Sequence, residues 1–206
     1  YLESGSSGNE IQLSAKIDKP QVTADELNQI TDVLGTATTY YGSTYGRNTN
    51  VEVGAEKLNG ILLMPGEEFS VTDAVVPFNA ENGYELAPSY ESGQVVDSYG
   101  GGICQVSTTL YNALLQAELQ ILERHNHTMI VTYVEPSMDA AIAEGLMDLR
   151  FANDTDYPIY IEGGAWGGAL TFTIYGHETR PADRYVQYVS ETLDSSTAEG
   201  VKLVPK

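Results

Sequence analysis

The sequence predicts an α+β fold in which an antiparallel sheet packs on a central helix, and three observations carry that expectation. From Gln105 to Leu119, the residues Val106, Leu110, Ala113, Leu114 and Ala117 line one apolar face at helical spacing. Two alternating runs, YPIYIEG and ALTFTIYG, flank AWGG and read as a β-hairpin. The other strand-like runs are scattered among turns and short helical patterns, an arrangement that suits an antiparallel sheet with a segregated helix.

Taken in order, residues 1 to 8 are polar and rich in Gly and Ser, the composition of a disordered segment. Ile11 to Ile17 alternates like a strand. Thr23 stands three residues before Glu26, the capping-box spacing that opens a short helix. Thr36 to Tyr41 is β-branched and aromatic and reads as a strand. Val51 to Leu58 reads as a helix with Asn50 as its cap and Gly60 as its stop. ILLM then breaks at Pro65-Gly66 before EEFSV. Val76 to Gly102 reads as one long irregular stretch, a length that in a compact domain marks function or mobility. After the central helix, Met129 to Val134 reads as a strand, the hairpin follows, and RYVQYVSETL reads as a last strand before a polar tail.

Bulk composition bounds the function. The 206 residues, 42% apolar and 19% charged, can bury a real core. Ten basic residues against twenty-nine acidic ones give a formal net charge of −19. That balance excludes nucleic acid and anionic membrane surfaces as expected partners and otherwise serves solubility. A single cysteine rules out an intramolecular disulfide and a cysteine-based zinc site. No run of about eighteen apolar residues is present to span a bilayer. The opening YLESGSSG reads as a cut in mid-chain, so a missing signal peptide carries little weight.

The segment GGGICQVSTTLYNALL concentrates the chemistry. Three successive glycines cost backbone entropy and admit close approach of a substrate or another backbone. Cys104 follows where the helical pattern begins. There, unpaired N–H groups and the helix dipole favour a thiolate and can hold an oxyanion. A lone cysteine is most often a small buried hydrophobe. The glycine-helix context turns the reading toward a nucleophile with a lowered pKa. His125 and His127, in ERHNHTM, are the candidate bases, and only one can serve. Asp139 is the nearest carboxylate to orient the imidazole, with Asp148 second. Such a geometry requires the strand after the histidines to run antiparallel to the helix. His-x-His is too incomplete a ligand set for a metal, and neither metal nor cofactor is expected. Arg124 could bind a substrate carboxylate. Of the fourteen tyrosines, Tyr84, Tyr90 and Tyr99 could line a groove beside the glycines, while Tyr157, Tyr160 and Tyr175 suit strands. Ser107 and Thr108 read as ordinary first-turn residues, and Glu67-Glu68 as a solvated turn.

RNTN, NGILLMPGEEFS, AENGY, GGGICQVSTTLYNA, ERHNHTM, YVEP with MDA, and DLRFANDTDYPIYIE fall in the order found in VanW-domain proteins. The chain resembles that family from roughly Thr36 to Gly176, and GGGICQVS with LYNA is its most specific segment. The preceding IQLSAKIDKPQVTADEL is similar to the end of a peptidoglycan-binding module. The resemblance therefore implies three parts: 1–20, a disordered start and the end of that module; 21–180, a catalytic domain; 181–206, a terminal strand and tail. It implies attachment at the outer face of a Gram-positive envelope, through a membrane segment outside this chain. It also implies L,D-transpeptidase chemistry, forming 3-3 crosslinks between peptidoglycan stem peptides. Carried over, Cys104 is the nucleophile and His127 the better base, since His127-Thr128 stands at the family's His-Ser/His-Thr position. Gly100, Gly101 and Gly102, with Arg124, Tyr84 and Tyr99, are the expected substrate contacts. Where the family has Gly-Pro-Arg before AENGY, this chain has VVPFN, without a basic residue. A cysteine hydrolase using the same residues and a non-enzymatic wall-binding module are the rival expectations, and a monomer is the expected state.

Overall fold

The structure, a computed structural model, describes residues 22–194 except 43, 92 and 93. The fold is α+β, and every strand pairing is antiparallel. Helix α1 (Ala24–Leu27) opens with the predicted capping box between Thr23 and Glu26. Strand β1 (Asp32–Tyr40), helix α2 (Tyr45–Lys57), strand β2 (Ile61–Leu63), strand β3 (Glu68–Ser70) and helix α3 (Val71–Val75) follow. Strands β4 (Leu86–Glu91) and β5 (Gln94–Tyr99) form a hairpin that leads into α4 (Ile103–Gln116). Short strands β6 (Gln120–Glu123) and β7 (Arg150–Ala152) precede the long hairpin β8 (Ile159–Trp166) and β9 (Ala169–Gly176). The main sheet runs β1-β9-β8-β2, and a smaller one runs β3-β7-β6.

The main sheet lays one face on the two long helices, α4 against β1 and β9, α2 against β8. Leu110 and Leu114 of α4 and Leu170, Phe172 and Ile174 of β9 are all fully buried. Each contributes about 1.5–3 kcal/mol through removal of apolar surface from water. This is the central helix the apolar periodicity predicts.

Several expectations change. Helix α2 begins six residues earlier than the apolar pattern suggests, and Thr44 caps it by accepting from the Arg47 N–H. Asn50 is no cap. It is buried inside the helix, donating to the Glu85 and Gly101 carbonyls and accepting from the Glu85 N–H, and so ties α2 to the turn before α4. The stretch from Val76 to Gly102 is largely the β4–β5 hairpin. Met129 to Val134 forms no strand, because no neighbouring strand offers it a ladder. RYVQYVSETL is likewise extended without pairing. It runs past the end of α4, where Arg180 donates to the Gln116 carbonyl (2.9 Å), Tyr188 to the Leu115 carbonyl (2.9 Å), and Arg184 pairs with Glu118. These contacts satisfy carbonyls that a helix end leaves open. Ile11 to Ile17 and residues 1–20 lie outside the described residues apart from their neighbours from 22 onward. Among the described residues no helix is long and apolar enough to cross a membrane.

Candidate active site

Three glycines set the start of α4. Gly100 (φ 81°) and Gly102 (φ 109°) are left-handed, and Gly102 is the N-cap. A Cβ on Gly101 would lie 2.4 Å from the Ala87 carbonyl oxygen. The close approach that the glycines admit is therefore made by the protein's own β4 backbone. At Gly102 the neighbour is Arg47, and at Gly100 it is Phe78. Cys104 is the second residue of the helix. The Ile103 and Gln105 N–H groups bond back to the carbonyls of Gly100 and Gly102. Among the described residues the Cys104 N–H has no hydrogen-bond partner, so it is free to accept an anion at the positive end of the helix.

The thiol itself behaves differently from the sequence expectation. Its Sγ donates to the Ile142 carbonyl at 3.4 Å. Burial pushes the Cys104 pKa up, opposed by that hydrogen bond and by the Arg47 charge, while the Asp139 charge adds to the rise. Desolvation of the anion outweighs the favourable helix position.

The residues after the histidines reach this helix by a route the sequence does not predict. Ser107 donates to the Ala140 carbonyl (2.7 Å), and Thr108 accepts from the Ala140 N–H (2.9 Å). Asn112 donates to the Met138 carbonyl (2.8 Å). With Ile142 at Cys104, residues 138–142 form a ribbon antiparallel to α4. Ser107 and Thr108, fully buried, are thus the clamps of this ribbon rather than ordinary first-turn residues.

The ribbon carries Asp139, whose carboxylate is the hub of the cluster. Its Oδ2 lies 2.6 Å from His127 Nδ1 and accepts from the His127 N–H at 2.6 Å. Its Oδ1 accepts from Arg124 Nη2 at 2.9 Å, and Arg124 Nε donates to the Asp139 carbonyl at 2.6 Å. Burial raises the Asp139 pKa. The His127 hydrogen bonds and the Arg124 charge more than cancel this and hold it below the ordinary carboxylate value. Engaging Nδ1 leaves His127 Nε2 as the ring nitrogen without a protein partner among the described residues. His127 and Asp139 are mostly buried, with side chains 13% and 9% exposed. No hydrogen bond joins Cys104 to either histidine among the described residues.

The other expected residues separate. His125 Nε2 faces Glu123 Oε1 at 2.9 Å with its side chain 41% exposed. Asp148 accepts from Ser70 Oγ and from the Thr72 N–H at the start of α3, away from the histidines. Arg124 is consumed by Asp139 and by the Tyr111 ring, 5.6 Å from its centroid. Tyr84, expected in a groove, is buried in the core with its hydroxyl on the Val75 carbonyl. Tyr99 is exposed on β5, and the Tyr90 side chain lies outside the described residues. Among the described residues no group of three His, Cys, Asp or Glu side chains could hold a metal ion.

A cleft of about 390 Å³ opens beside His127, Asp139 and Arg124, its other wall formed by residues such as Ile130, Val131 and Glu135. Two further side chains belong here that sequence reasoning missed. Tyr133, from the same irregular loop, is pushed up in pKa chiefly by burial, with a smaller contribution from Cys104. Arg47 reaches over Gly102 and donates to Gln105 Oε1 at 2.8 Å. Gln105, buried, is fixed by donating to Thr39 Oγ1 and the Tyr40 carbonyl. Arg47 carried a signal, a scarce cation within RNTN. Tyr133 carried none, being one tyrosine of fourteen in an apparent strand.

The comparisons with known proteins bear on the same segments. The chain is 37% identical over 161 residues to the uncharacterized protein YoaR of Bacillus subtilis, covering 77% of this chain and 53% of that protein. It is 34% identical over 120 residues to the vancomycin B-type resistance protein VanW of Enterococcus faecalis, covering 54% of this chain and 43% of that protein. The chain thus spans about half the length of these relatives. No solved structure matches it. The family model described as VanW like protein matches residues 46–175, a span that contains nearly all of α2, the glycine turn, Cys104, the clamped ribbon and most of the β8–β9 hairpin. The chain belongs to the VanW-like protein family.

Proposed function

We propose that this chain is a cysteine acyltransferase of the cell envelope, an L,D-transpeptidase joining peptidoglycan stem peptides. One observation supports the reading: the ribbon hydrogen-bonded along α4 carries Asp139, which holds His127 by Nδ1, and the same ribbon reaches Cys104 through the Ile142 carbonyl. The relative whose name ties it to vancomycin resistance supports a role in the envelope, and the extracellular location follows from that reading.

In the proposed cycle, Cys104 Sγ attacks the carbonyl carbon of the third residue of a donor stem. The thiol proton passes to His127 Nε2, and the tetrahedral oxyanion rests on the Cys104 N–H. The intermediate collapses with cleavage of the amide C–N bond. The terminal D-alanine leaves with the proton from His127, and the donor stays on sulfur as a thioester. A side-chain amine of an acceptor stem then attacks the thioester, its proton goes to His127, and the thiol is restored. Because burial disfavours the thiolate and the thiol donates to the Ile142 carbonyl, His127 takes the proton during attack and no preformed ion pair is needed.

The test is incubation of the protein with a purified disaccharide tetrapeptide. Crosslinked dimers that vanish in Cys104→Ala are expected. Trimmed monomers in place of dimers would redirect the reading to a hydrolase, and no reaction at all would favour a wall-binding module.

A further inference from the structure

Five arginines serve this acidic chain, and four of them are neutralised. Arg124, Arg150, Arg180 and Arg184 each pair with a carboxylate. Among the described residues Arg47 pairs with none, although the chain holds twenty-nine acidic residues. It is nevertheless held in place. Its Nη2 donates to the amide oxygen of Gln105, which is 1% exposed and anchored to β1 through two further hydrogen bonds. Its stem crosses Gly102, the N-cap of α4, where a Cβ would lie 3.1 Å from Arg47 Cγ and 3.3 Å from Nη1. A side chain at 102 would displace it. A neutral amide as the fixed partner positions the guanidinium without cancelling its charge, and leaves most of its five N–H donors for a planar anion.

The place of that charge is informative. It lies at the mouth of the turn that delivers Cys104, close enough to act on the sulfur. An uncompensated, immobilised arginine beside a nucleophile suits a ligand that brings its own carboxylate. We propose that Arg47 binds the free α-carboxylate of the residue that leaves when Cys104 is acylated, and so restricts donors to peptides ending one residue beyond the scissile bond. This rests on the acyl-transfer reading above. That carboxylate is two bonds from the departing nitrogen, so its anchor must sit beside the nucleophile, and Arg47 lies over the N-cap two residues before Cys104. A donor one residue longer places its carboxylate about 3.3–3.6 Å further along the chain, outside the fork.

The experiment compares two tetrapeptide stems, one ending in a free carboxylate and one in a primary amide, and follows the Cys104 thioester by intact-protein mass spectrometry. For the wild-type protein the acid donor acylates faster by on the order of tenfold or more, as expected for loss of a bidentate charge-assisted contact. In Arg47→Gln the ratio falls to about one, through a slower acid donor, and Arg47→Lys, with its point charge, gives an intermediate ratio. Equal acylation of both donors by the wild-type protein, or an unchanged ratio in Arg47→Gln, overturns the assignment while leaving acyl transfer standing. So does a ratio that holds while the pH profile of Cys104 alkylation shifts, since Arg47 would then serve the thiolate alone. Failure of the wild-type protein to form a thioester with either donor overturns both readings. The wild-type comparison needs no variant, so it decides even if Arg47→Gln fails to fold.

Discussion

Replacing Asp139 with Asn tests the hub of the site most directly. The carboxylate takes part in three hydrogen bonds, at 2.6, 2.6 and 2.9 Å, with the His127 backbone N–H, His127 Nδ1 and Arg124 Nη2. Bonds to a charged group contribute about 1.5–3 kcal/mol each. An amide can keep the oxygen facing one partner, but its NH2 then opposes the donors of the other, and the Arg124 charge loses its counterion. Discounting for the partial exposure of Arg124, the expected loss is about 2–4 kcal/mol at pH 7. For a domain of this size that is about 5–15 °C in Tm. The pH dependence has a defined sign. Asp139 titrates below its ordinary value in the folded protein, so its contribution is complete well above the unfolded value of about 3.9 and is lost as pH falls through the lower folded value. The gap between wild type and Asp139→Asn therefore narrows as pH drops below about 4. Urea denaturation of both proteins at pH 7 and at pH 3 or lower measures it. A gap under about 0.5 kcal/mol at pH 7, the range of ordinary surface changes, or a gap that stays constant with pH, refutes the hub assignment.

Three further outcomes are expected. Gly101→Ala brings a methyl to 2.4 Å from the Ala87 carbonyl oxygen, which is backbone and cannot step aside, so thermal melts register a loss of about 1–3 kcal/mol. Iodoacetamide labelling of Cys104 is slow at pH 7 and rises only above the ordinary cysteine range, because burial disfavours the thiolate; fast labelling of the wild-type protein at pH 7 would contradict this. His127→Ala abolishes thioester formation, whereas His125→Ala, losing only an exposed contact with Glu123, keeps most of it; equal losses would remove the distinction between the two histidines.

Where one element fixes its own periodicity, the sequence was legible. Helix α4 and strand β9 follow directly from spacing, because an apolar stripe of α4 and alternate residues of β9 are buried. Short strands β6 and β7, of four and three residues, are too brief to show a period. MIVTYV and RYVQYVSETL misled for the opposite reason. Their residues favour strands, but a strand exists only where a neighbour supplies hydrogen bonds, and neither has one. The site divides similarly. The glycines and Cys104 announce a helix start through local chemistry. The union of Asp139 with His127 depends on buried hydroxyls and an amide at Ser107, Thr108 and Asn112, residue types whose helical positions suggest nothing special. The thiol's raised pKa was invisible because it comes from burial in the folded protein, which local spacing does not report.

The antiparallel ribbon has a consequence for how such a chain can diverge. Residues 138–142 are locked in register to α4 at Cys104, Ser107, Thr108 and Asn112. Deleting or inserting one residue there would turn Asp139 away from His127. Residues 128–137, between His127 and the ribbon, hold no ladder and wall the cleft. Insertions in that loop leave both anchors where they are, since loop-closure entropy grows only slowly with length. The cleft wall is thus free to be rebuilt while the register of Cys104, His127 and Asp139 along α4 is kept unchanged.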